Sequence, residues 1–364
     1  MQMQSSESVR STAAHRADCT ELLRGGSRTF YAASMVLPRV VREPATALYA
    51  FCRLADDAID LGGGMPALAQ LRERLDRIYC GRPYSIAADC AFADVVERYS
   101  IPRTLPEALL EGIEWDVEGR RYETLEQLRA YAARVAGSVG AMMSILMGAR
   151  EAPVLARACD LGVAMQLTNI ARDVGEDARG GRIYLPLQYM REAGIDPDAW
   201  LARPVFSAAL GAVTQRLLVE ADVLYLRAGA GVANLPLSCQ PGMHAARLLY
   251  AEIGREVERR GLDSVSRRAV VPVSRKAWLL AGALMTTLVS RAGEVLPSLP
   301  ETRYLVDAAA AAPLRSGETL VEAIPWWNFA DRVIWVLQLF EQLEQRDRRM
   351  RPQLQAVSEG VNTA

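Results

Sequence analysis

Four polar side chains in the stretch 166–186, QLTNIARDVGEDARGGRIYLP, stand at a spacing that could hold a metal ion. Gln166, Asn169, Asp173 and Asp177 advance by three, four and four residues. Met165, Leu167 and Ile170 beside Ala164 and Ala171 argue for a helix, and on a helix these steps keep all four side chains on one face. That face offers two carboxylates and two amide oxygens, with no thiolate or imidazole. Such donors suit Mg²⁺, or Mn²⁺ in its place, better than zinc. A single D-x-x-x-D near a helix end reads as a solvated face. A second copy changes the reading: in YAFCRLADDAID, residues 49–60, Asp56 and Asp60 are again four apart, with Arg53 one turn before Asp56 and Tyr49 one turn before Arg53. Two acidic faces, accompanied by Arg53 and Arg172, look like two walls of one cavity. Metals held between carboxylates and a diphosphate would neutralise a leaving group, and guanidinium groups bind the same oxygens bidentately.

The elements that must position these faces read as helices. Pro44 followed by ATALYAFCRLADDAID gives a proline near a helix start and then apolar residues at three and four spacing, ended by three glycines at 62–64. Pro66 opens ALAQLRERLDRIYCG, an amphipathic helix stopped by Gly81 and Pro83. The pattern predicts further helices over 106–118, 125–147, 154–176, 207–228, 242–260, 275–295 and 327–349, and one short strand-like run, 269–273. The expected class is therefore all-α. Of the 364 residues 51% are hydrophobic, enough for a sizeable core, and no linker or composition break divides residues 20–290. The reading is one domain over 20–351, with a polar arm at 1–19 and a polar tail at 352–364, both expected to be disordered. Trp326, Trp327, Phe329, Trp335 and Phe340 are expected to pack the last helix onto this domain.

Other chemistries are excluded. A net charge of −1 without a basic run argues against a nucleic-acid partner. The six cysteines show no metal-ligand spacing and read as reduced, mostly buried thiols. Two histidines, His15 in the arm and His244 at a helix start, cannot build a His-rich centre, which also weakens the case for a di-iron site with paired Glu-x-x-His motifs. Dinucleotide loops, P-loops and nucleophile elbows are absent. The polar N-terminus lacks the apolar core of a signal peptide, so the expected location is the cytoplasm. The most apolar run, 277–290, has fourteen residues between Lys276 and Arg291. It is too short to span a bilayer and reads as a core helix.

Three blocks carry a resemblance: SRTFYAAS at 27–34 running on to YAFCRLADDAID, YAARVAGSVGAMM at 131–143, and LGVAMQLTNIARDVGEDARGGRIYLP at 161–186. Over roughly residues 20–275 the chain resembles the squalene and phytoene synthase family of head-to-head trans-isoprenyl diphosphate synthases, most closely its bacterial phytoene-forming branch. The resemblance implies an isoprenoid synthase type helical domain with a central cavity. It implies condensation of two geranylgeranyl diphosphates, through prephytoene diphosphate, to phytoene in carotenoid biosynthesis, with Mg²⁺ and without NADPH. Asp56, Asp60, Asn169, Asp173 and Asp177 become metal ligands, with Tyr49 and Arg53 beside them in the catalytic set. Arg28, Arg172, Tyr250 and one of Arg267 or Arg268 would reach diphosphate, Gln166 would lie on the substrate face, and Tyr131 and Val135 would face the cavity. Gly137 and Gly140 mark a small-residue face for close helix contact or for a bulky chain lying alongside. One departure stands out: relatives commonly carry a second tyrosine where this chain has Ala133, followed by Arg134. A hydrocarbon product would favour peripheral membrane association. Two alternatives stay open: a squalene-type, dehydrosqualene or presqualene diphosphate synthase using farnesyl diphosphate, and a non-catalytic binder of polyprenyl diphosphate.

Overall fold

The computed structural model describes residues 18–21, 36–59, 63–289 and 296–312. Among them there is no strand; the run 269–273 is an irregular loop leading into a helix, so the strand-like expectation there is corrected. In chain order the helices are α1 (Arg39–Ala58), α2 (Gly64–Tyr79), α3 (Ala87–Tyr99), α4 (Thr104–Val117), α5 (Leu125–Ala132) and α6 (Ser138–Leu146). Then come α7 (Ala152–Arg179), α8 (Leu187–Glu192), α9 (Pro197–Ala202), α10 (Ala208–Val232), α11 (Gln240–Arg259), α12 (Val273–Val289) and α13 (Arg303–Ala311). The helix expected over 327–349 with its tryptophans, and Arg28, Asp60 and His15, lie outside the described residues.

The first acidic helix starts earlier than its proline suggests. Pro44 sits inside α1 rather than at its start, and has no N–H to give the Val40 carbonyl. The Tyr99 hydroxyl donates to that carbonyl instead, at 3.3 Å. The helix α3, not expected from the sequence, carries Asp89 fully buried, where the guanidinium of Arg74 meets its carboxylate at 2.6 Å.

The longest helix, α7 with 28 residues, is the axis of the molecule and packs against α5, α6, α10, α11 and α13. Its approach to the chain between α5 and α6 is a backbone contact. A Cβ on Gly162 would stand 2.6 Å from the Ala136 carbonyl carbon, and one on Gly140 would stand 2.9 Å from that of Ala158. The segment Ala133–Gly137 between α5 and α6 is a π turn, closed by the Ser138 N–H on the Ala133 carbonyl. Such turns re-aim side chains and recur at functional sites.

The helix α12 is core on one face only. Leu279, Leu280 and Ala283 pack with Val36, Ala245 and Leu249, whereas Trp278 is 64% and Leu288 76% exposed. The plain core-helix expectation is corrected to that extent. No helix among the described residues is long and apolar enough to cross a membrane. All six cysteines are free: Cys19, Cys159 and Cys239 are buried, Cys52 and Cys90 half-buried and Cys80 exposed. His244 is buried in α11, where burial, and then Arg247, push its pKa down to about 4 and leave it neutral.

Candidate active site

A cavity of ≈ 1380 Å³, its open mouth included, runs along α7 between α1, the π turn and α6, α10 and α11. One face of α7 lines it from Asn169 and Gln166 through Met165, Gly162, Leu161 and Ala158 to Val154. Tyr49, Cys52 and Tyr250 join from α1 and α11, Val135 and Met143 from the π turn and α6, and Met147 and Leu235 stand with Val154 at the inner end. Apart from Arg157, whose guanidinium is engaged by Asp160 at 2.9 Å and by the carbonyls of Leu296 and Pro297, the inner wall is apolar. Such a wall shelters a reactive cation from water.

One and two turns beyond Asn169 on the same face of α7 stand Asp173 and Asp177. Arg172 grips Asp173 through Nε at 2.7 Å and a terminal nitrogen at 2.5 Å. Arg268 grips the same carboxylate at 2.8 and 3.1 Å. Burial opposes ionisation of Asp173, but Arg172 and then Arg268 outweigh it and hold its pKa below the ordinary value. Asp177 is in the reverse situation. Burial, then Asp173 and Glu176, push its carboxyl up to about 7 against the pull of Arg182, with Asp116 adding to the rise. A crowded carboxyl that resists ionisation beside an ionised neighbour is the electrostatic complement of a cation, and such oxygen donors fit Mg²⁺. Among the described residues no three carboxylates, thiols or imidazoles are grouped tightly enough to hold a metal by themselves. Mg²⁺ commonly takes one or two carboxylates and completes its shell with water and substrate phosphates.

On the first acidic helix Asp56 is exposed, and its charge reaches Tyr49, whose hydroxyl is raised by burial first. Arg53 turns to Asp57, one turn along its own helix, at 2.6 Å. Between the two candidate arginines of the loop after α11, Arg268 is the one on Asp173, whereas Arg267 acts on Asp263. Val135 lines the cavity. Tyr131 is buried beside it: its hydroxyl donates to Asp116 at 2.8 Å, and its ring lies 5.2 Å from Tyr122 and 5.3 Å from Tyr184. The departure at 133–134 is absorbed in the same region. Ala133 is buried, and Arg134 leaves the wall to stack on Trp115 at 4.1 Å and pair with Glu111 at 2.9 Å.

Asp116 was not singled out in the sequence. Both of its oxygens are occupied, one by Tyr131 and the other by Tyr184 at 2.7 Å, and its charge reaches Asp177. An acid near the polar end of α4 has no local signal for this role. Only its contacts with residues far away in the chain reveal it.

A family profile for squalene/phytoene synthase matches residues 23–276. The chain is 50% identical over 325 residues to a phytoene synthase of Rhodobacter capsulatus, covering 86% of this chain and 96% of that one. It is 51% identical over 335 residues to a phytoene synthase of Cereibacter sphaeroides, covering 87% and 94%. Among solved structures, a dehydrosqualene synthase with bound ligand superposes with a TM-score of 0.70 at 30% identity over 76% of this chain and 97% of that one. A squalene synthase from Alicyclobacillus acidocaldarius shares the fold at a TM-score of 0.62 and 24% identity, over 69% of this chain and 95% of that one. With the profile matched over residues 23–276 and two phytoene synthases about 50% identical over most of their length, the chain belongs to the squalene/phytoene synthase family.

Proposed function

We propose that this protein is a phytoene synthase: a prenyltransferase that joins two geranylgeranyl diphosphates head to head, through prephytoene diphosphate, and then forms phytoene. The observation that carries the reading is the continuous face of α7, which lines an apolar cavity at one end and presents Asp173 and Asp177 at the other. Its relatives named phytoene synthase support the same reaction.

The depth of the cavity supports the twenty-carbon substrate. From Asn169 to Val154 its lining spans fifteen residues of α7, about 22 Å at the helical rise. An extended chain advances ~3.5 Å for every three bonds, so a four-bond isoprene unit advances roughly 4.7 Å. Four units need about 19 Å and three about 14 Å on that rate. A lining of that length matches a geranylgeranyl chain at full stretch better than a farnesyl chain, which supports the longer substrate.

Asp56, Asp60, Asn169, Asp173 and Asp177 would hold Mg²⁺, which when bound supplies Lewis-acid neutralisation of the departing diphosphate. Arg172 and Arg268 exchange the Asp173 carboxylate for diphosphate oxygens, and Arg53 and Arg28 take part of the same charge. Gln166 orients the substrate at the mouth. Tyr49 and Tyr250, which line the cavity, offer ring faces to positive charge. The apolar wall around Val135, Met143 and Leu161 keeps water from the carbocation. Closing the central double bond requires loss of a proton and no hydride, so NADPH is not consumed. The exposed apolar face of α12, with Trp278 over the Arg275 guanidinium at 4.7 Å, supports peripheral contact with a lipid surface at which a hydrocarbon product is released.

The test is direct. Purified protein with geranylgeranyl diphosphate and Mg²⁺ should yield a forty-carbon hydrocarbon without NADPH, faster than it converts farnesyl diphosphate, and EDTA should stop it. Thirty-carbon products alone, hydrocarbon only with NADPH, or turnover that survives the chelator would overturn the reading.

A further inference from the structure

Between the two acids of α7 stands a residue without a side chain. A Cβ on Gly175 would meet the backbone of Val265, standing 2.6 Å from its Cα and 2.8 Å from its carbonyl carbon as well as against its oxygen. No side chain can occupy that space without moving the Val265 backbone. Gly175 also donates its N–H to the Ser264 carbonyl at 3.0 Å. The loop between α11 and α12 is therefore seated on the bare backbone of α7 at this one point, and Ser264 and Val265 are buried there.

The rest of the loop is built to hold that seat. Leu262 takes a left-handed φ of 64°, a conformation that non-glycine side chains adopt only at a cost. Asp263 Oδ1 accepts the N–H groups of Val265 at 3.1 Å and Ser266 at 2.9 Å. Arg179 donates to the Val265 carbonyl at 3.3 Å, and Arg260 donates to the carbonyls of Arg268 at 3.3 Å and Val270 at 3.4 Å. At about 3.6 residues per turn, Gly175, Arg179, Glu176 and Asp173 follow one another around α7. The loop touches them in that order. It rests on Gly175, is tied by Arg179, passes Glu176, which Arg268 meets at 3.4 Å, and ends with Arg268 on Asp173.

We propose that Gly175 is a positioning residue for diphosphate binding: its missing Cβ lets the 260–272 loop seat on α7 and so delivers Arg268, rather than Arg267, to the acidic face. The inference rests on the reading of Arg268 as a diphosphate ligand. Gly175 touches neither substrate nor metal; it acts through the placement of one guanidinium. Adding a single methyl lifts the loop, and Arg268 loses its aim while the carboxylates of Asp173 and Asp177 stay in place.

The experiment compares Gly175→Ala, Arg268→Ala and the double variant. Steady-state kinetics with geranylgeranyl diphosphate is measured alongside calorimetric binding of inorganic pyrophosphate with Mg²⁺. A charge-assisted contact of this kind corresponds to roughly a tenfold or larger change in affinity. Arg268→Ala should raise KM and the pyrophosphate Kd by about that factor, Gly175→Ala should do the same, and the double variant should be no worse than Arg268→Ala, the non-additivity expected of one shared interaction. Should Gly175→Ala fail to fold, Asp263→Ala loosens the loop from the other side and should reproduce the same loss of pyrophosphate affinity. If Arg268→Ala binds pyrophosphate like the wild type, the reading of Arg268 fails. If Arg268→Ala is impaired while folded Gly175→Ala, or Asp263→Ala in its place, is not, or if the effects add, the positioning role of Gly175 fails by itself.

Discussion

Replacing Asp177 with asparagine should make the metal-free protein more stable and the enzyme inactive. Burial, followed by the charges of Asp173 and Glu176, raises the Asp177 carboxyl from 3.8 to about 7 in the fold. A carboxyl whose pKa is higher folded than unfolded supports the fold while protonated. That support is complete below about 3.8 and is lost as pH rises through about 7. The shift is about three units at ~1.4 kcal/mol each, so at pH 8 the ionised side chain costs the metal-free fold on the order of 4 kcal/mol. Asparagine keeps the volume and removes the charge. In EDTA, Asp177→Asn should therefore melt above the wild type at pH 8, and the gap should close toward pH 4, where the wild-type carboxyl is protonated. Circular dichroism melts across that pH range measure it, and an activity assay with Mg²⁺ on the same samples should show most turnover gone. Stability gained where activity is lost marks a residue kept for its chemistry. A variant that melts below the wild type at pH 8, or a gap that ignores pH, would refute the electrostatic reasoning.

Ala158 lines the cavity eleven residues along α7 from Asn169, about 16 Å at the helical rise. Ala158→Phe should leave room for three isoprene units and not four, shifting preference from geranylgeranyl to farnesyl diphosphate; unchanged preference in competition assays read by mass spectrometry would rule out this measure of depth. Lipid contact through α12 should appear as flotation with liposomes that weakens when Trp278 and Leu288 are both changed to serine, and absence of the wild-type protein from the floated fraction at every salt concentration would end that proposal.

The spacing of Gln166, Asn169, Asp173 and Asp177 was enough to place them on one face, because helical periodicity is a local property and α7 continues unbroken through all four. The all-α class follows for the same reason, from apolar residues recurring at three and four, and the two acidic motifs with their arginines are what motivate the proposal of a site for metal and diphosphate. What the sequence could not carry was where distant segments meet. Arg267 and Arg268 are neighbours of identical chemistry, and only the seat of their loop on Gly175 distinguishes them. The Tyr131 hydroxyl donates to Asp116 of the preceding helix, a pairing set by how α4 and α5 pack. The apolar run of α12 reads the same whether covered or bare, and its burial depends on α11, which covers one face and leaves Trp278 out. Local patterns determine which elements form and which face each presents; their partners, and with them the depth of the cavity and the pKa of Asp177, follow from contacts that exist only once the helices have packed.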